Sequence, residues 1–430
     1  MRRNRNDAAA IVDRWLAPWP TLPHATGREP SCPMLAWAAC GGMALTGFTD
    51  EAPVLSPSAA IGVLAQSLHR LRDLTGSCGT PVDLDVGTVI GARAALRGFH
   101  RQGDVSAGGL TRLLRAGDGW IALALPRDDD VASVPAIIGD TGTGDPWHDV
   151  TEFATRTAAR DVVDRAQLLG VASAVVPPPG MMTDAAPFEV SRIAEPATDL
   201  SLTGATVVDF SSLWAGPLCG HILTRAGAQV IKVESTSRPD GARVGDPDFF
   251  AWLHRDQQFL RIDFASTSGR AELADHVAAA DIVIEASRPR ALENLGVAPH
   301  QVTHRPGRIW VSITGGGRSR PMQVDFGDDA AAGGGLVGWT DRGPVFCADA
   351  IADPLSGVSA ALAVAASARS GGGHLIDVSM TNTAAAFAAA ENDCPGEHHV
   401  ITDGPDWSVS CSFEDNTQPV LAPRPPTPPH

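Results

Sequence analysis

Three stretches of this 430-residue chain carry residue types suited to covalent or acid–base chemistry. Ala352–Gly357, ADPLSG, sets the carboxylate of Asp353 among small residues; Asp325–Asp329, DFGDD, bunches three acids; and Lys232 is the single lysine, against 32 arginines. Each also has an ordinary reading. An Asp before Pro starts a turn, Asp328 and Asp329 read as exposed loop carboxylates, and Lys232 closes a strand or pairs with Glu234 or another acid. A carboxylate can serve as nucleophile, acid or base only when other elements hold it against a substrate.

Those elements are clearest between Leu202 and Glu234, LTGATVVDFSSLWAGPLCGHILTRAGAQVIKVE. An apolar strand (Ala205 to Phe210) leads to a small-residue turn at Ala215, Gly216 and Pro217, then a helix, then Gly227 and a second apolar strand, Val230 to Val233. This is a βαβ unit. Its turn holds Ala-Gly-Pro where G-x-G-x-x-G would bring a pyrophosphate against backbone N–H groups, which argues against a nicotinamide cofactor.

Composition narrows the class. The chain is 44% hydrophobic with a net charge of −16 and a mean hydropathy of zero, an ordinary balance for a soluble protein of two or three domains. No sustained basic face is present, so a nucleic-acid partner is not expected. Arg2, Arg3 and Arg5 precede AAAIVDRWLAPWP, whose apolar run is broken by Asp13 and Arg14. Neither a secretory segment nor a membrane span is read there, and a cytoplasmic protein is expected. Seven cysteines, at 32, 40, 78, 219, 347, 394 and 411, form no C-x-x-C pair. They read as reduced, half-buried small residues, with no metal site.

Residues 201–390 resemble the family III CoA-transferases, the group of formyl-CoA transferase, carnitine CoA-transferase and α-methylacyl-CoA racemase. The family opens with a strand, a turn carrying A-G-P and a helix leading to G-A-x-V-I-K-V-E, here Gly227 to Glu234. LHRDQQFLRIDF (Leu253 to Phe264), DIVIEASRPRALENLGV (Asp281 to Val297), IWVSITGGG (Ile309 to Gly317) and ADPLSG follow in the family's order. The resemblance implies an α/β fold, a Rossmann-like large domain with a smaller α/β domain, in homodimers that interlock as rings. It implies transfer of coenzyme A between an acyl-CoA and a carboxylic acid, with CoA as cosubstrate, no tightly bound cofactor, and a place in lipid metabolism. Asp353 matches the catalytic aspartate, and Ala352, Ser356 and Gly357 would leave room for the thioester and offer N–H donors to its oxyanion. CoA would contact Leu213, Trp214 and Ala215 at the turn, with Arg238, Arg243 and Arg288 toward its phosphates.

Departures keep two alternatives open: a member that binds acyl-CoA or pairs with an active subunit without turnover, and an α-methylacyl-CoA racemase or isomerase. The family's asparagine is His254, its basic pair is Gln257 and Gln258, and its amide and aromatic are Ala286 and Ser287. Trp214 replaces a glutamine and could close the acyl pocket or stack on a flat substrate. The racemase branch needs a histidine that DFGDD lacks. Segmentation reads as an N-terminal extension (1–33), a region resembling the family's small domain plus a degenerate linker (34–180), a linker (181–200), the catalytic domain (201–390) and a Pro-rich disordered tail (391–430). The small-domain material therefore precedes the nucleotide-binding part. Ala36 to Val54 also echoes Gly333 to Phe346 as a weak internal repeat.

Overall fold

A computed structural model describes residues 8–19, 22, 32–181, 185–198, 200–404 and 406–426. Arg2, Arg3 and Arg5 and the last four residues lie outside them. The centre is a seven-stranded sheet. In chain order its strands are β1 (Phe188–Arg192), β2 (Thr206–Asp209), β3 (Gln229–Ser235), β4 (Gln258–Ile262), β5 (Ile282–Glu285), β6 (Ile309–Thr314) and β7 (His374–Ser379). They lie side by side as β1-β7-β6-β5-β2-β3-β4, all parallel except the antiparallel edge strand β1. β2, β5 and β6 are apolar-rich and buried along almost their whole length, as in a sheet covered on both faces. The six parallel strands follow a doubly wound order, whose direction reverses between β2 and β5, and ligands in such sheets gather beyond the carboxyl ends at that reversal. The βαβ reading of Leu202–Glu234 is realised with its boundaries shifted by a residue or two.

The helices that matter for the site are α1 (Ala60–Cys78), α2 (Val86–Arg97), α3 (Ala215–Arg225), α4 (Gly327–Gly333) and α5 (Ala352–Arg369). α5 is buried almost throughout, packed on α3 from the βαβ unit and on α1 from the N-terminal half. One apolar core therefore runs from Ile11, Val12 and Trp15 through Leu64 and Leu71 to Leu218, Leu355 and Ile376. The core does not divide at the 181–200 linker. Residues 111–176 build a core of their own, around Ile121, Val150 and Val162, beneath a three-stranded antiparallel sheet, and a further cluster around Val208, Val283 and Trp310 packs on the seven-stranded sheet. The segment before residue 33 likewise contributes a packed helix, Ala8–Trp15.

Two expectations are corrected here. The C-terminal stretch is not a disordered tail. His398–Asp403, Asp406–Cys411 and Asn416–Pro419 form an antiparallel sheet, and the chain then returns to the body, where the Leu421 N–H donates to the Ala38 carbonyl and Arg424 to that of Ala39. Prolines spaced along the last residues hid a strand pattern that local composition does not reveal. The second correction concerns Ser356 and Gly357. They lie inside α5, where backbone N–H groups belong to the helical ladder, and the room at Gly357 is taken by protein. A Cβ there would fall 2.6 Å from the Ala215 carbonyl and 3.0 Å from Leu218 Cβ.

The two echoing segments pack against each other. Val54 touches Gly338, the Ala348 N–H donates to Thr46 Oγ1, and Arg342 reaches back to Asp50. Among the described residues no helix is long and apolar enough to cross a membrane.

Gly357 thus sets the separation of α5 from α3. Gly357→Ala is expected to lower stability by about 1–2 kcal/mol, an overpacking cost of about 1–3 kcal/mol partly offset by better helix propensity. Urea denaturation of the variant against the parent measures it.

Candidate active site

Asp353 is in the first turn of α5 and faces the N-terminal end of α3, where the Ala215 N–H lies near enough to favour its ionised form. Gly357, one turn along the same helix face, permits the approach that brings this N–H within reach. From the other side α4 begins at Gly327, so close that a Cβ there would collide with Asp353 Oδ2. Helix N-termini carry unsatisfied N–H groups and partial positive charge. The carboxylate is therefore held where a negative charge finds backbone donors.

It is also held among other acids. Asp328 and Asp349 are buried and, like Asp353, interact with the guanidinium of Arg93. Arg93 makes a bidentate pair with Asp349, Nε to Oδ2 at 2.9 Å and Nη2 to Oδ1 at 2.7 Å, the geometry that makes such pairs strong. Asp328 Oδ1 accepts from the Ala350 N–H at 3.0 Å. Burial pushes the Asp353 carboxyl up to about 7, with the Arg93 charge opposing and those of Asp328 and Asp349 assisting. Burial likewise lifts Asp328, to about 6. Asp329 is raised by burial and by Asp325, and its Oδ1 accepts from the Phe326 N–H.

Asp328 and Asp329 are therefore not exposed loop carboxylates but buried acids opening α4. A run of adjacent acids reads as solvated because nothing nearby in sequence answers its charge. Two of the answering groups, Arg93 and the Ala350 N–H, lie far away in sequence, and the third, the Phe326 N–H, answers only once α4 has formed.

Backbone strain surrounds the same carboxylate. Leu213, Ala348 and Ala350 are non-glycine residues with φ of 70°, 55° and 44°, a region costing of order 1–3 kcal/mol per residue and held only by surrounding structure. For Leu213 the restraint is visible. Lys232, fully buried, pairs with the equally buried Asp240 at 3.1 Å and donates to the Ser211 carbonyl. Asp240 in turn accepts the Leu213 N–H at 3.1 Å. The single lysine clamps the turn from Ser211 to Ala215, and so the N–H that reaches Asp353. On the opposite wall Arg93 holds Asp349, between Ala348 and Ala350.

The remaining expected site residues divide. Trp214 is 1% exposed, edge-on to Phe249 at 5.0 Å and beneath Arg93 at 5.3 Å, so its indole is enclosed by protein and does not stand open to a flat substrate. Leu213 is exposed. Arg243 pairs with Glu234 at 2.6 Å over the rings of Phe250 and Phe259. Arg288, following β5, and Arg238, following β3, lie close enough to repel each other, together with Arg290 and Arg127, and this crowding and burial lower Arg288. Gln257 and His254 are joined at 2.7 Å, and Gln257 donates to Thr224 of α3, which is an interior role. A cavity of about 330 Å³ lies at the other end of α4 from Asp353, lined by Val54, Pro178, Met181, Gly335 and Trp339. Sequence reading missed Arg93, Asp349 and Arg127, which lie outside every motif.

Residues 202–395 match the family described as CoA-transferase family III. That segment, a little under half of the chain, is similar to CoA-transferase family III. It is 30% identical over 208 residues to an acyl-CoA transferase of Fusarium pseudograminearum, covering 43% of this chain and 46% of that protein. It is 31% identical over 196 residues to succinyl-CoA–D-citramalate CoA-transferase of Chloroflexus aurantiacus, covering 42% and 49%. The chain thus spans about half the length of the relatives it matches. A crystal structure of a CAIB/BAIF family protein from Brucella suis aligns at 26% identity with a TM-score of 0.42, over 49% of this chain and 66% of that one. The family match begins at residue 202, so Arg93, which faces three of the site's acids, comes from outside it.

The raised carboxyl of Asp353 has a consequence for stability. Between its ordinary value of 3.8 and about 7, the folded chain keeps a proton that the unfolded chain has released, so stability falls as pH rises through that window. Asp353→Asn carries no such charge. It is expected to melt above the parent at pH 8, with the gap closing toward pH 4, as thermal unfolding of both proteins across that range will show.

Proposed function

We propose that this chain transfers coenzyme A between an acyl-CoA thioester and a carboxylic acid, with Asp353 as nucleophile. The observation that carries the reading is the placement of Asp353 at the start of α5, in the cleft between α3 and α4, facing Arg93 and beside the Ala215 N–H. The family match over residues 202–395 supports the coarse class, CoA transfer.

The ionised Asp353 oxygen attacks the thioester carbonyl, the C–S bond breaks and CoA leaves as thiolate, which gives a mixed anhydride. The thiolate attacks the aspartyl carbonyl and expels the first acid as its carboxylate, leaving an aspartyl-CoA thioester. The acceptor carboxylate repeats the attack on that thioester, and the released thiolate takes the new acyl group, which restores Asp353. A carboxyl poised near 7 suits both half-reactions, being ionised often enough to attack and a good enough leaving group to depart. As charge builds on the aspartyl oxygens the Ala215 N–H stays in place, a fixed donor of the kind that stabilises oxyanions.

Arg288 and Arg238, with Arg290 near them and Arg127 already paired with Asp130, supply a basic cluster beside the carboxyl ends of β3 and β5, and we assign the CoA phosphates to it. Leu213 and the Ala215 backbone form the wall between that cluster and Asp353. Arg243, already held by Glu234, would help shape the cluster's loop. Asp328 is bound to the Ala350 N–H and faces Arg93, which supports a role in holding the loop before α5 rather than in abstracting an α-proton.

Incubation with a panel of acyl-CoA donors that includes succinyl-CoA, a quench in hydroxylamine and peptide mass spectrometry test the reading. A hydroxamate is expected at Asp353, with none in Asp353→Ala. Transfer that proceeds with no adduct at Asp353, or equally in the variant, contradicts it.

A further inference from the structure

Four side chains that the reaction does not use converge where the Pro33–Ala39 helix meets the C-terminal sheet. Cys32 stands just ahead of the Pro33–Ala39 helix; Cys394, His398 and Cys411 come from the C-terminal sheet and the segment leading into it. Their ligand atoms all lie within 4.8 Å of one another. Cys32 Sγ is 2.9 Å from His398 Nε2, and Cys394 Sγ is 3.6 Å from Cys411 Sγ. A tetrahedral zinc site with Zn–S distances of about 2.3 Å puts its ligand atoms ~3.5–3.8 Å apart. The four atoms are thus already at that spacing, give or take an ångström. Cys32 and Cys411 are buried, and Cys394 and His398 half-buried.

The backbone around the sulfurs has the same character. Cys32 Sγ faces the N–H groups of Met34 and Leu35, and Cys411 Sγ those of Phe413 and Glu414, the second and third residues after each cysteine. Gly396, midway between Cys394 and His398, crosses directly over this cradle: a Cβ there would fall 3.0 Å from Cys411 Sγ and 2.7 Å from the Phe413 nitrogen. The sequence spreads these ligands over almost the whole chain, so the expectation of scattered structural cysteines without a metal site missed them.

We propose that Cys32, Cys394, His398 and Cys411 bind one zinc ion as a closed, structural Cys₃His site. Zinc displaces the three thiol protons and leaves the imidazole neutral with Nε2 as its ligand atom, with no change of oxidation state. All four positions are filled by protein, so the site staples the chain ends and activates no water. The staple bears on the reaction at a distance. Beyond Cys411 the chain lays Pro423 and Arg424 against Gly91 of α2, the helix that carries Arg93.

Elemental analysis of the full chain, purified under reducing conditions and incubated with zinc, tests the proposal. One zinc per chain is expected, with loss of it in Cys394→Ser and in His398→Ala but not in Cys78→Ser. Cobalt added to metal-free parent protein should give the absorption of a tetrahedral thiolate complex, a readout that needs no variant. Removing the zinc with a chelator should lower the melting temperature. The proposal is overturned if the parent takes up neither metal, if the variants retain as much zinc as the parent, or if intact mass shows Cys394 and Cys411 joined with the loss of two hydrogens.

Discussion

The bidentate pair between Arg93 and Asp349 is the interaction on which the candidate site depends. Asp349 is completely buried, and an unpaired charge there would cost several kcal/mol. Its pairing guanidinium also faces Asp328 and Asp353, so one cation moderates three carboxylates that burial would otherwise keep protonated. The pair fixes the loop between Ala348 and Ala350, whose backbone would relax without it, and that loop leads directly into α5 and Asp353. Because Arg93 comes from α2, the ionisation of the family segment's aspartate is set by residues from outside that segment.

The opposite wall repeats the logic with different residues. Lys232 and Asp240 bury their charges against each other and spend the remaining donors and acceptors on the Ser211 carbonyl and the Leu213 N–H. A composition that all but excludes lysine keeps one where a compact ammonium reaches a carboxylate and a carbonyl together, which Arg's planar fork does not match. The two buried pairs clamp the two backbone segments that touch Asp353. Gly357 then brings α5 and α3 close enough for those segments to meet.

Much of this was legible in sequence where the determinants are local. The βαβ unit, the parallel sheet and the position of Asp353 follow from short-range periodicity and from motifs in a fixed order. What was not legible depends on residues far apart in the chain. Arg93 sits in a helix with no motif, and its partner follows it by more than two hundred residues. Asp328 and Asp329 look solvated until Arg93 and the Ala350 and Phe326 N–H groups are placed beside them. The C-terminal sheet lacks a hydrophobic alternation strong enough to stand out from its prolines, since it is held by the body against which it folds. The four metal-site ligands meet only once both chain ends have been brought together.

The claim that a distant arginine sets the ionisation of Asp353 is tested most directly by titrating that residue itself. Carbon-13 labelling of aspartate, with Asp353→Asn to assign the resonance, would give its titration curve in the parent and in Arg93→Met. The account predicts a midpoint near 7 in the parent and a clear upward move in a folded Arg93→Met. A midpoint in the ordinary carboxylate range, or one that ignores the loss of Arg93, would contradict it.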